Sequence, residues 1–254
     1  MGKTPERSEM MAGERVCDLF RDIIDQIEKT QMETIKKAAE AIVCRVTNGG
    51  TVHIFDTGHL VDRELVHRAG GLALWRPLRW EFSITNPVRQ RENVSPVPPS
   101  SMVELTECAL EASCLGPDDV IIVGSVSGKS VAPVGVALGA KKRGALVIAV
   151  TSLTYSKKLE SEHPSGKRLF EAADLVIDNQ APYGDSTLSL ADMGERIVPS
   201  SGIGAVTALW ALSAEVAQRL AERGLTPSVY QSVNRPDTAE HNEKAEKRYE
   251  KHGW

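Results

Sequence analysis

Residues 120–150 read VIIVGSVSGKSVAPVGVALGAKKRGALVIAV, and this stretch decides the fold. Val120–Val123 is a fully apolar run, as expected of a strand buried on both faces. Gly124-Ser125-Val126-Ser127-Gly128-Lys129-Ser130 is a polar glycine loop. A helix is predicted from Val131 to Lys142, stopped by Arg143-Gly144. Ala145–Val150 is a second apolar strand. Strand, loop, helix and strand within about 30 residues form a βαβ unit, which implies a parallel sheet covered by helices on both sides.

Outward from this core, the pattern adds further elements. Val16, Phe20, Ile23, Ile27, Ile35, Ile42 and Val46 recur at helical spacing, predicting one long helix from about Met10 to Thr47. Asn48-Gly49-Gly50 ends it. Its narrow apolar stripe suits packing across a dimer or across its own sheet. Thr51–Phe55 reads as a strand ending at Asp56-Thr57-Gly58, followed by a helix from about Leu60 to Ala69. Residues 72–100, with five prolines and two tryptophans, read as an irregular loop, a feature that is usually functional at this length. A helix is predicted at about Ser101–Leu115, a strand at Leu175–Ile177, a helix at about Ser201–Arg223, and a charged helix near the end. The expectation is a single domain over residues 1–254, with an N-terminal helical segment (1–50) and a C-terminal tail (226–254). Its architecture is a three-layer α/β/α sandwich around a central parallel five-stranded sheet.

The chain has 254 residues, 41% hydrophobic and 25% charged, with a net charge of −4. Such a chain buries a full core without disulfides. Its acidic balance argues against a nucleic-acid partner. No apolar run is long enough for a membrane span, and residues 1–16 show no secretory h-region. Cys17, Cys44, Cys108 and Cys114 form no CxxC pair, which suits a reduced, cytoplasmic setting.

The loop Ser125-x-Ser127-Gly128-x-Ser130 is the sharpest chemical signal. It lies where a strand ends and a helix begins, the ligand position of doubly wound sheets. Helix N-termini offer unpaired N–H groups and partial positive charge, which suit a phosphate. The three hydroxyls add further donors, and Gly128 allows close backbone approach. The spacing fits neither a P-loop nor a GxGxxG dinucleotide fingerprint.

Residues 118–152, DDVIIVGSVSGKSVAPVGVALGAKKRGALVIAVTS, resemble the core of the SIS (sugar isomerase) domain. VHIFDTGHL (52–60) resembles that family's first glycine loop. HRAGG (67–71), TSLTYS (151–156), HPSGKRLFEAADLVIDN (163–179) and EHNEKAEKRYEKHG (240–253) resemble an uncharacterised bacterial SIS group related to phosphoheptose isomerases. The resemblance spans roughly residues 10–225. It implies phosphate contacts from Ser125, Ser127 and Ser130, backbone support from Gly128 and Lys129, and a sugar-facing first loop at Gly58 and His59. Thr151 and Ser152 would line the same cleft. It also implies a phosphorylated sugar as partner and an aldose–ketose isomerase, with a sugar-phosphate sensor, an ether lyase or a deaminating isomerase as rivals. A homodimer or homotetramer would be the assembly. The first loop departs from the family in carrying Asp56-Thr57-Gly58-His59-Leu60 rather than further serines.

Aldose–ketose chemistry needs a carboxylate to move a carbon-bound proton and a second group for the oxygen protons. Glu64, on the helix leaving the first loop, is the candidate base; its alternative is a solvated ion pair with Arg68. His59, His163 and His241 are the candidate acids. No redox or nucleotide cofactor is expected. A zinc held by His59, Asp62, Glu64 and His241 has no HxxxH or HExxH spacing behind it. Lys167-Arg168 could help neutralise a phosphate. Trp75 and Trp80 suit packing beneath the long loop better than closure over a sugar.

Overall fold

A computed structural model describes residues 10–57, 62–83, 85, 98–191 and 193–254, with the side chains of 62 and 63 excepted. The first element among the described residues is α1 (Ala12–Thr47), which stops at Asn48 and at Gly49, whose φ is +95°. Then come β1 (Val52–Asp56), the single turn α2 (Asp62–Leu65), β2 (Trp75–Pro77), α3 (Pro99–Ala112), β3 (Val120–Gly124) and α4 (Val131–Lys142). The second half holds β4 (Leu146–Thr151), α5 (Leu153–Ser156), α6 (Leu169–Ala172), β5 (Leu175–Asp178), the hairpin strands β6 (Ser186–Leu188) and β7 (Ile197–Pro199), α7 (Ser201–Glu222) and α8 (Thr238–His252).

Five strands form one sheet in the order β2-β1-β3-β4-β5, every neighbouring pair parallel. Side chains alternate between its faces, as period-2 geometry requires. Val52, Ile54, Val120, Ile122, Ile148 and Ile177 pack on one face with α1 and α7. Ile121, Val123, Val147 and Ala149 pack on the other with α4 and α6. The expected three-layer sandwich with a five-stranded parallel core is therefore present.

Long helix α1 buries Ile23, Ile27, Ile35, Ile42 and Val46 within its own chain, along α7 and beneath the sheet. Gln31 joins this face, its side-chain carbonyl accepting from the N–H of Asp178 at 2.9 Å. The stripe that suited a partner subunit is therefore largely covered from within.

Other expectations change. The helix predicted over 60–69 shrinks to Asp62–Leu65 among the described residues, and His67 then takes a φ of +56°. Within the loop expected at 72–100, residues 75–77 form β2, a parallel edge strand beside β1. Pro77 hides it from a propensity reading, yet proline is tolerated on an edge where no ladder donor is lost. Trp75 is 1% exposed and Trp80 stacks on Phe55 at 4.9 Å, so both tryptophans serve packing. The β6–β7 hairpin was not anticipated. The tail folds back onto its own chain: Arg76 of β2 pairs with Glu246 at 2.6 Å and lies 3.7 Å over the Tyr249 ring, so α8 caps the β2 edge. No helix among the described residues is long and apolar enough to cross a membrane.

Helix α7 approaches the end of β5 closely. A Cβ on Gly204 would stand 1.9 Å from the carbonyl oxygen of Asn179. Gly204→Ala forces α7 off the sheet and should destabilise the protein by about 1–3 kcal/mol. Denaturant titration checks this; an unchanged midpoint contradicts the contact.

Candidate functional site

After β1 the chain moves outward to β2, then crosses back to β3 on the other side of β1. That reversal opens a crevice at the carboxyl ends of β1 and β3, where open α/β sheets bind ligands. Two loops meet there. Thr57, after β1, donates from its N–H and its hydroxyl to the carbonyl of Gly124, each at 3.4 Å. Gly58 and His59 follow Thr57 and lie outside the described residues.

The second loop, 125–130, is braced from behind. Ser125 is buried, donates its N–H to Val150 at 3.1 Å, and its hydroxyl accepts from the Gly128 N–H at 3.3 Å. The Val126 carbonyl accepts from the Ser152 N–H at 3.0 Å and the Thr151 hydroxyl at 3.1 Å. The Gly128 carbonyl accepts from Leu169 at 2.7 Å, and the Lys129 carbonyl from Glu162 at 2.9 Å. The Lys129 ammonium also meets the Glu162 carboxylate at 2.6 Å, which raises the lysine pKa. Gly128 itself sits at φ +60°, and a Cβ there would lie 3.0 Å from the Ser156 hydroxyl, 3.1 Å from that of Thr151 and 3.2 Å from Leu169. Glycine is required on both grounds.

In contrast, the outer side of the loop is uncommitted among the described residues. Ser130 is the N-cap residue of α4, yet its hydroxyl makes no capping bond. Ser127 and Ser130 are both partly exposed. Pro133 in the first turn carries no N–H, leaving Val131 and Ala132 as the α4 residues whose amides can serve a ligand. Hydroxyls and helix-terminal amides together are the kind of donor set that suits an anion.

Thr151 and Ser152 are fully buried, and their hydroxyls are spent on the protein: that of Ser152 donates to Ala181 at 2.6 Å and accepts from Tyr155 at 3.0 Å. They hold the loop in place from beneath. His163 is also buried. Its Nδ1 accepts from the Ser165 N–H at 3.1 Å, so the ring proton sits on Nε2, which has no partner among the described residues. Burial lowers its pKa. Glu64 is about half exposed and pairs with Arg68 at 3.2 Å. His241 donates from Nε2 to the carbonyl of Val229 at 2.9 Å. Val229 bridges Leu72, ahead of β2 at the amino-terminal end of the sheet, so among the described residues nothing ties His241 to the serine loop. Lys167 lies on the exposed outside, while Arg168 holds the carbonyls of Ser156, Lys157 and Leu159 and pairs with Glu171. Of the imagined zinc ligands, His59 and the Asp62 side chain lie outside the described residues. Among the described ones, no three His, Cys, Asp or Glu side chains gather.

Sequence reading missed Glu162, Leu169 and Ser156 as the loop's supports. The signal available for them was general: the segment after β4 must leave the sheet at the same end as the serine loop.

The SIS domain pattern matches residues 17–152, which hold β1, β3, the serine loop, α4 and β4. A UPF0309 protein of Halalkalibacterium halodurans is 34% identical over 237 residues, covering 91% of this chain and 92% of that one. This chain is a SIS-domain protein of the UPF0309 family. A second UPF0309 relative, from Geobacillus kaustophilus, is 35% identical over 235 residues and again covers 91% and 92%. Among solved structures, a phosphoheptose isomerase from Francisella tularensis aligns with a TM-score of 0.49 at 15% identity, covering 82% of this chain and all of that one. The serine loop lies within the residues that the SIS domain pattern matches.

Two outcomes follow from the loop's geometry. Gly128→Ala combines positive-φ strain with a missing pocket for Cβ, and should destabilise the fold by about 1–3 kcal/mol in a thermal melt. His163 stays neutral in the fold with its pKa below the ordinary 6.5, and buried His53 has the same sign. Stability is therefore present above about pH 6.5 and lost as pH falls through the lower folded-state values. His163→Gln should flatten part of that acid limb; an unchanged pH profile of the melt contradicts it.

Proposed function

We propose that this protein binds a phosphorylated sugar and interconverts its aldose and ketose forms through an enediolate. Support comes first from the uncommitted hydroxyls of Ser127 and Ser130 at the α4 N-terminus, in a chain of the SIS family. The ester's phosphate rests on these hydroxyls and on the first-turn amides, with Ser125, Gly128 and Lys129 shaping the backbone around it. The sugar then extends toward β1 and the loop that contains Gly58 and His59.

Isomerisation moves one proton from C2 to C1 and another from O2 to O1. Glu64 carries the carbon-bound proton, leaving Arg68 to do so. A histidine, His59 from the first loop or His241 brought from another subunit, handles the oxygen protons. His163, closed off by Ser165 and by burial, serves the loop's shape. No bound cofactor enters this scheme.

One observation favours a second reading. Glu64 is neutralised by Arg68 and His241 is tied to a backbone carbonyl, so within one chain neither is presented ready for proton transfer. A sugar-phosphate sensor needs the anion seat alone.

Proton NMR in deuterated water with a panel of sugar phosphates separates these readings. Loss of the C2 proton signal marks enolisation, binding without exchange marks a sensor, and release of lactate or ammonia marks a lyase or deaminase. Ser127→Ala should weaken phosphate-ester binding by about 1.5–3 kcal/mol, the scale of a hydrogen bond to a charged group, as read by calorimetry. Glu64→Gln should bind normally and lose exchange; full turnover in that variant removes Glu64 from the mechanism.

A further inference from the structure

We infer that the cavity between the segment after α2, residues 230–233 and α8 is a second ligand site, and that it takes a small organic anion with a flat apolar body. The cavity shares no residue with the serine loop, and the inference does not depend on the sugar-phosphate reading.

The cavity itself is the first observation. It holds about 430 Å³, a volume typical of small-molecule sites. His67 and Arg68 form one wall, Tyr230 and Val233 the second, and Glu246 of α8 the third. The lining is mainly apolar. Val233 is 83% exposed, so an aliphatic side chain on this wall is left largely uncovered. The rings of His67 and Tyr230 lie 5.3 Å apart and tilted, a π surface beside it. The second observation is backbone strain. His67 holds a φ of +56°, and strained residues of this kind gather at ligand sites. The third is which polar groups are already spent. Glu246 meets the Arg76 guanidinium at 2.6 Å and accepts from the Tyr230 hydroxyl, while Glu243 pairs with Lys247 at 2.5 Å. Asn242 is taken by the backbone of Gln231, accepting from its N–H at 2.8 Å and donating to its carbonyl at 3.0 Å.

What remains is a set of donors. The His67 imidazole and the Gln231 side-chain amide line the cavity with no hydrogen bond among the described residues. Arg68 has its ion pair with Glu64, at 3.2 Å, but Glu64 lies outside the cavity lining and both side chains are about half exposed. Such a pair holds weakly, and one carboxylate leaves several guanidinium N–H groups for a second acceptor. An apolar cavity whose carboxylates are neutralised and whose spare groups donate calls for an occupant with a negative charge. Its flat body covers Val233 and stacks on the His67 and Tyr230 rings, and its carboxylate or phosphate takes Arg68. Ligand and Glu64 then compete for one guanidinium.

Calorimetry on the full chain with benzoate, benzamide and benzylamine, probes of one shape and different charge, tests this. Benzoate should bind about tenfold more tightly than benzylamine, with benzamide between them. Arg68→Gln should weaken benzoate by about tenfold and leave benzamide unchanged. Val233→Ser should weaken both. Glu64→Gln, which releases the guanidinium, should tighten benzoate by about twofold, the scale of a helical ion pair. Arg196→Gln, in a separate hollow beside α1, should change nothing. All four variants should melt like the wild type. The inference is overturned if no probe binds at millimolar concentration or if benzylamine binds as tightly as benzoate. It is also overturned if benzoate binding survives both Arg68→Gln and Val233→Ser, or falls equally with Arg196→Gln. An affinity unmoved by Glu64→Gln overturns the shared guanidinium.

Discussion

The bond from the Leu169 N–H to the Gly128 carbonyl, at 2.7 Å, is the constraint on which the candidate site rests. It fixes the loop after β3 in a left-handed bend, so the carbonyls of Gly128 and Lys129 turn inward to the segment after β4. With those acceptors satisfied from behind, the Ser127 and Ser130 hydroxyls and the first amides of α4 have no partner among the described residues. The proposed anion site would thus be made by spending the loop's acceptors on the protein and keeping hydroxyl and first-turn donors in reserve. Burial of Thr151, Ser152 and Ser156 beneath the bend belongs to the same arrangement, since side chains packed there stop the loop from relaxing inward.

This division of labour separates residues that look alike in sequence. Ser125, Ser127, Ser130, Thr151 and Ser152 are all small hydroxyl residues at strand ends. Three are committed internally: Ser125 to the Gly128 N–H, Thr151 to the Val126 carbonyl, and Ser152 to Ala181 and Tyr155. Two are not. Composition and spacing do not distinguish them, because the difference lies in which partners the segment from 152 to 181 brings up from behind.

The parallel sheet was legible because Val120–Val123 and Ala145–Val150 are unbroken apolar runs joined by a glycine loop and a helix, a pattern with one topological solution. Helix α4 ran between the expected residues, Val131 and Lys142, since its ends carry a serine and an Arg-Gly pair. β2 was hidden because three residues with a proline give no periodicity, and it is a strand only through its neighbour β1. The hairpin escaped for a similar reason: Val198 adopts a φ of +67°, against the ordinary preference of a β-branched residue, so its conformation is set by context. Within the candidate site, the position of Ser-x-Ser-Gly-x-Ser at a strand–helix junction was readable. The ion pair of Glu64 with Arg68 was foreseeable from their spacing of four, whereas the anchoring of His241 depends on where the tail folds, which local sequence does not encode.

The most direct measurement of the central claim is a crystal structure of the protein soaked with a sugar phosphate. The account predicts the phosphate at the amino terminus of α4, within hydrogen-bonding distance of the Ser127 and Ser130 hydroxyls, with the Leu169–Gly128 bond intact. A phosphate bound elsewhere, with the serine loop empty, would contradict it.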